Sequence, residues 1–272
     1  MRLLAPKHPL ETISTSLRLD LLNLVYQAGE AHLGGPLSSL DLFISLYFSK
    51  LFKFYSTKNK ANFDHFTLSA GHLAPALYVV LAKAGYFPHS YLKNFATLTS
   101  PLQAHASTTA PGVEYSSGAL GQGLSFAAGL ALGDPGHYSL CLTTDGEHQE
   151  GQVWEAAMFA KKYQLGNLIN IVDHNHYQID GAVEDIMPLG RLAAKYLKFG
   201  WSVISINGHN FTQIIKALKK AKQKSHYPTC LIANTIFGKG ISFIQHDYHY
   251  HDVKNLSEAL YSRARQDLKI AK

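Results

Sequence analysis

An α/β fold, a doubly wound and mostly parallel sheet flanked by helices, is what this sequence predicts. The first observation is a set of short apolar runs, HYSLCLTT, NLINIVDHN, WSVISING and PTCLIANT, between residues 137 and 235. Runs that are apolar throughout suit parallel strands buried on both faces, whereas half-solvated antiparallel strands alternate. The second is that segments of helical periodicity, Gln152 to Tyr163, Pro188 to Lys198 and Phe211 to Ala221, separate them. Strand and helix in alternation define the layered α/β class. The third is an Asp-Gly pair closing the first run, where such folds bind ligands, beyond the carboxyl ends of the strands.

The elements before this region are read in the same way. Leu17, Leu21, Leu22, Leu24 and Val25 fall at helical spacing within Leu10 to Ala28, and a second apolar helix is expected from Ser38 to Phe48. Between them GEAHLGGP, Gly29 to Pro36, reads as a kinked loop. HFTLSAGHLAPALYVVLAKAG reads as a strand, a tight turn at Ser69 to His72, and a helix ending before Gly85. PGVEYSSGALGQG is turn-rich and leads into a helix of small residues, which permits close approach of a neighbour or ligand. SEALYSRARQDLKIAK at the other end is an amphipathic basic helix.

At 272 residues and 46% hydrophobic, the chain has a globular composition and is expected to form one domain over 1–272. The net charge of +6 comes from Lys50 to Lys60, Lys216 to Lys224 and the last helix. Lysines recurring at amphipathic spacing read as solvated helix faces, so neither nucleic acid nor membrane is expected as a partner. Cys141 and Cys230 each lie inside an apolar run and read as packing residues. With no apolar leader in MRLLAPKHPLETIS, a cytoplasmic protein is expected.

Asp145 directly follows one strand and Asn175 ends the next. A right-handed βαβ unit brings both to the same sheet edge. A carboxylate and an amide oxygen there suit a hard divalent cation that keeps places for phosphate oxygens. Gly146, without a side chain, lets backbone approach an anion.

DGEHQEGQVWEAAMFAKKYQLGNLINIVDHNHYQIDG resembles the thiamine-diphosphate fingerprint of transketolases. GEAHLGGPLSSLDL, DHFTLSAGHLAPALY, PGVEYSSGALGQGLSFAAGLAL and GKGISFIQHDYHYHDV resemble four further segments of that family, in the same order, so that the likeness spans about residues 10 to 255. It implies the diphosphate-domain fold, thiamine diphosphate and Mg²⁺. Asp145 and Asn175 would ligate the metal with the Tyr177 carbonyl, His72 and Gly146 would meet the diphosphate, and Gly118, Leu120 and Ile179 would line the cofactor's rings. His32, His105 and His251 would face the substrate, while Glu150 and Glu155 would belong to an acidic network reaching an interface, with Trp154 packing. The chain departs from the family at Thr144 and Ala104, where glycine is usual, at Ala119, and in HDYHYH. That last tract brings His246, His249 and His251 close in sequence, a possible transition-metal set that no cysteine or carboxylate completes.

Because no segment after Asn234 resembles the family's second α/β domain, the likeness implies a half-enzyme. It would move a two-carbon ketol unit from a ketose (phosphate) to an aldose only with a C-terminal, pyrimidine-binding subunit, in a heterotetramer. The alternatives are another thiamine-diphosphate enzyme component and a non-catalytic protein that keeps the fold.

Overall fold

The structure, a computed structural model, describes residues 8–56, 62–223 and 225–270. Parts of two lysine-rich tracts, 57–61 and 224, and the ends of the chain lie outside them.

Helix α1 (Pro9–Ala28) has Pro9 in its first turn and is capped by the His8 side chain, which accepts from Leu10 N. It buries Leu17, Leu21, Leu22 and Val25. The expected loop that follows is instead a strand, β1 (Glu30–His32), running straight into α2 (Gly34–Phe48). Helix α2 begins four residues earlier than its apolar run suggested because Gly34 lies against the Phe237 ring, where a β-carbon would come within 2.0 Å. Burial is nearly complete around α2, Ser38, Ser39 and Asp41 included, so those polar groups must find partners inside the protein. Arg18, Ser14 and His209 supply Asp41's: Arg18 Nη2 and Ser14 Oγ donate at 2.7 and 2.6 Å, and His209 Nδ1 at 2.8 Å.

Strand β2 (His65–Leu68) and helix α3 (Ala74–Lys83) flank a 3₁₀ turn at Gly71–Leu73, as expected. After α4 (Gly123–Gly133) come β3 (Ser139–Thr144), α5 (Gly151–Lys162) and β4 (Leu168–His174). A hairpin of β5 (Tyr177–Gln178) and β6 (Gly181–Ala182), then α6 (Val183–Ile186), had no sequence signal of their own. Helix α7 (Leu192–Lys198) starts later than Pro188, since Gly190 takes a left-handed φ of 57° that breaks the helix. β7 (Ser202–Asn207), α8 (Phe211–Ala221), β8 (Thr229–Asn234), β9 (Asp252–Lys254) and α9 (Glu258–Ile270) complete the chain.

The main sheet runs β2-β3-β4-β8-β7 with every pairing parallel. Alternate residues feed two cores. Leu140, Leu142, Ile169, Ile171 and Leu231 face α1, α2, α3 and α8, while Cys141, Leu168, Val172, Cys230 and Ile232 face α4, α5 and α7. Both cysteines are free and buried. β7 departs from the expectation of strands buried throughout: at the sheet edge, most of its residues are partly or fully exposed. α8 packs Phe211, Ile214, Ala217 and Leu218 inward and leaves Lys216, Lys219 and Lys220 in solvent. β1 and β9 pair antiparallel, His32 opposite Asp252, tying together segments more than two hundred residues apart. None of the described helices is long and apolar enough to cross a membrane.

Candidate active site at the carboxyl edge of the sheet

β3 and β4 lie side by side, with Thr144 in register with Asp173. Asp145 and Asn175, one or two residues further on, therefore meet at one edge. Asp145 is 1% exposed. Its Oδ1 accepts from Gly146 N at 2.9 Å and its Oδ2 from His176 N at 2.6 Å. Burial pushes the Asp145 carboxyl up to about 7 against these two donations, with nearby Asp173 adding to the rise. No basic side chain forms an ion pair with it among the described residues. A buried carboxylate so placed suits a cation.

Asn175 is held by a second buried carboxylate that sequence reasoning missed. Asp173 Oδ2 accepts from Asn175 Nδ2 at 3.1 Å and from Ser38 Oγ at 2.5 Å, and its Oδ1 accepts from Thr235 Oγ1. Asp173 thus fastens the tip of β4 to α2 and to the end of β8. Tyr177 N donates to Asn175 Oδ1 at 2.9 Å, which fixes the turn that carries the third expected ligand.

Glu147 is the other residue missed. It is wholly buried in a 3₁₀ turn, Gly146–Gln149. Ser69 Oγ and Gly121 N (2.7 Å) donate to its Oε1, and Thr144 N (3.2 Å) to its Oε2. It therefore clamps three loops, and burial lifts its carboxyl to about 7. Next to it, His148 Nδ1 donates to Thr144 O at 2.7 Å, so Nε2 must accept from Tyr196 OH at 2.8 Å. Burial holds this imidazole down to about 4, hence neutral. Trp154 packs on His148, Tyr196 and Phe199, as expected.

Four expected histidines do come together. His32 lies 5.5 Å from His72, 5.5 Å from His105 and 5.4 Å from His251, ring centre to ring centre, and His72 lies 5.2 Å from His251. Burial, then the other imidazoles, lowers His32 to about 4 and His72 well below its ordinary range; burial lowers His251. Phe237 links this wall to the metal end, its ring between His251 and Tyr177. His251 Nδ1 and Ser117 Oγ are buried without a hydrogen bond among the described residues, and both sit where a polar ligand would satisfy them.

The remaining expected residues are brought to the rim, not the interior. Gly118 is exposed and open around its α-carbon, Leu120 is half-buried and Ile179 is 60% exposed. Glu150 and Glu155 are both exposed on or next to α5. Phe126 and Leu132 on α4, with Met158 and Phe159 on α5, extend this open apolar surface. HDYHYH does not gather: His246 sits by Tyr177, His249 stacks on Tyr248, and His251 belongs to the wall.

The family described as "Transketolase, thiamine diphosphate binding domain" matches residues 11–268. The chain belongs to this family. One of the two subunits that make up the apulose-4-phosphate transketolase of Phocaeicola vulgatus is 35% identical over 246 residues, 89% of this chain and 88% of that protein. The 6-deoxy-6-sulfo-D-fructose transketolase subunit SqwG of a Clostridium species is 38% identical over 257 residues, 93% of each. Among solved structures, the transketolase of Campylobacter jejuni superposes with a TM-score of 0.89 at 31% identity over 97% of this chain. The chain spans 43% of that transketolase and 40% of the transketolase from Pichia stipitis. For a transketolase thiamine-diphosphate-binding domain, a buried Asp145 beside Asn175 at the sheet's carboxyl edge is the expected place for the cofactor's charged end.

Proposed function

We propose that this chain is the diphosphate-binding subunit of a two-subunit transketolase, transferring a two-carbon ketol unit from a ketose to an aldose. The observation that carries the reading is the division of the site: a buried, internally satisfied carboxylate end and an imidazole wall border a rim of exposed apolar and acidic residues. The two relatives named as transketolase subunits are matched along nearly their whole length, the longer transketolases along less than half. A second chain with the pyrimidine-binding domain would cover the rim, in a heterotetramer. The names of those two relatives favour a ketose carrying an anionic end group as the substrate class. Two unpaired buried thiols accord with the cytoplasm.

In this reading Asp145, Asn175 and the Tyr177 carbonyl hold Mg²⁺, an all-oxygen set that suits it. His72 and Gly146 meet the diphosphate, and Gly118, Leu120 and Ile179 the rings. Bound thiamine diphosphate supplies an electron sink for carbon–carbon cleavage. His32, His105 and His251 orient the substrate. His32 and His251, held neutral, hydrogen-bond sugar hydroxyls and accept or return a proton rather than ion-pair with an anion. Glu150 and Glu155 present acidic groups to the partner.

Calorimetric titration of thiamine diphosphate and Mg²⁺ into the chain, with and without its partner subunit, tests this. Binding that appears or tightens in the mixture, with ketol transfer from a ketose donor and none from pyruvate, is expected. No binding in either arm overturns it in favour of a fold without its chemistry.

A further inference from the structure

The tip of β4 carries donors that an all-oxygen site leaves unused. Asp145, His174 and His176 each offer one ligand atom, and these atoms all lie within 4.8 Å of one another. The rings of His174 and His176 are 4.2 Å apart between centres. No other such trio of His, Cys, Asp or Glu occurs among the described residues.

Two features hold the rings in place. His176 adopts a left-handed φ of 71°, a conformation that costs a residue with a side chain about 1–2 kcal/mol, and the Asp145 carboxylate fixes it there by accepting its N–H. His174 bonds Asn234 Oδ1 through Nδ1 at 3.0 Å. Donating Nδ1–H to that oxygen leaves Nε2 with its lone pair, the arrangement by which an outer carbonyl sets the tautomer of a ligating histidine. Asn234 is itself fixed, paired in register with His174 across β4 and β8.

We propose that Asp145, His174 and His176 form a site for a borderline divalent transition ion such as Zn²⁺, at the mouth of the cofactor site. Two imidazoles and one carboxylate suit Zn²⁺ or Co²⁺ far better than Mg²⁺, which prefers oxygen. The proposal is independent of ketol transfer. It shares only Asp145 with the Mg²⁺ assignment, so the two ions exclude one another. Zn²⁺ in excess therefore blocks Mg²⁺-dependent cofactor binding.

The test uses the full chain without cofactor, titrated with Zn²⁺ by calorimetry and with Co²⁺ by visible absorption. One ion per chain is expected, with a Co²⁺ spectrum of imidazole ligation. His174→Gln and His176→Gly should each weaken binding by more than about tenfold; glycine accepts the left-handed φ, so that variant loses the ligand without backbone strain. Metal-free melting curves of both variants should match the parent chain. Absence of stoichiometric binding, or binding that survives both substitutions, overturns the site. Mg²⁺ titration with thiamine diphosphate on the same variants separates the two assignments: if it persists while Zn²⁺ binding was never present, the transition-ion site falls and the Mg²⁺ assignment stands.

Discussion

The two sides of the carboxyl edge differ in how completely this chain builds them. On the strand side, Asp145, Glu147, Asp173 and Asn175 are buried and bonded to groups from four separate parts of the chain. On the rim, Gly118, Ile179, Glu150 and Glu155 stand in solvent. The difference teaches that the anion-binding end is organised before any ligand arrives, whereas the ring-binding end depends on whatever covers it. Preorganised sites lose affinity steeply when one member goes, and rims lose it only in the assembled state.

The sharpest way to break the comparison is Asp145→Ala, which should abolish Mg²⁺-dependent thiamine diphosphate binding, read by calorimetry, while the chain remains folded. Asp173→Ala comes next. It strands the Ser38, Thr235 and Asn175 donors, so urea denaturation should show a loss of about 3 kcal/mol or more. Tyr196→Phe removes the hydroxyl between His148 and Asn170, for an expected loss of about 1–2 kcal/mol in the same assay. A fourth test uses pH. Glu147, raised from its ordinary 4.5 to about 7 in the folded chain, binds a proton that the unfolded chain has released. Its contribution is therefore present below about 4.5 and is lost as pH rises through 7. The stability advantage of the parent over Glu147→Gln should be greater at pH 5 than at pH 8; a constant difference would refute the buried-acid assignment. Smallest of all, Glu155→Gln should leave the isolated chain within about 0.5 kcal/mol of the parent, yet weaken association with the partner subunit in sedimentation.

Asp145 and Asn175 were legible because consecutive parallel strands deliver their final residues to one edge, so a spacing in sequence becomes a neighbourhood in space. Asp173 was not, although its signal was there: an acid inside the otherwise apolar LINIVDH needs buried donors, and Ser38 and Thr235, in other elements, are invisible to local pattern. Glu147 was overlooked beside the more exposed Glu150 and Glu155, since nothing in DGEHQEG tells which acid turns inward. The four histidines assembled as the family likeness implied. β1 and β9 escaped notice because three-residue strands have no periodicity to read, and the late start of α7 reflects the left-handed Gly190. The exposed β7 shows that an apolar run can also lie at an edge.

Pairing of His32 with Asp252 has a consequence for the order in which the molecule comes into being. During synthesis, the strands bearing Asp145 and Asn175 leave the ribosome well before residue 251 does. The carboxylate end can be sealed once Thr235 has emerged, but the imidazole wall must wait for the strand at 252–254 to return and clasp the one at 30–32. Closing so long a loop is slow relative to the local pairings around it. A nascent or C-terminally shortened chain thus holds a place for the cofactor's charge before it holds one for a sugar.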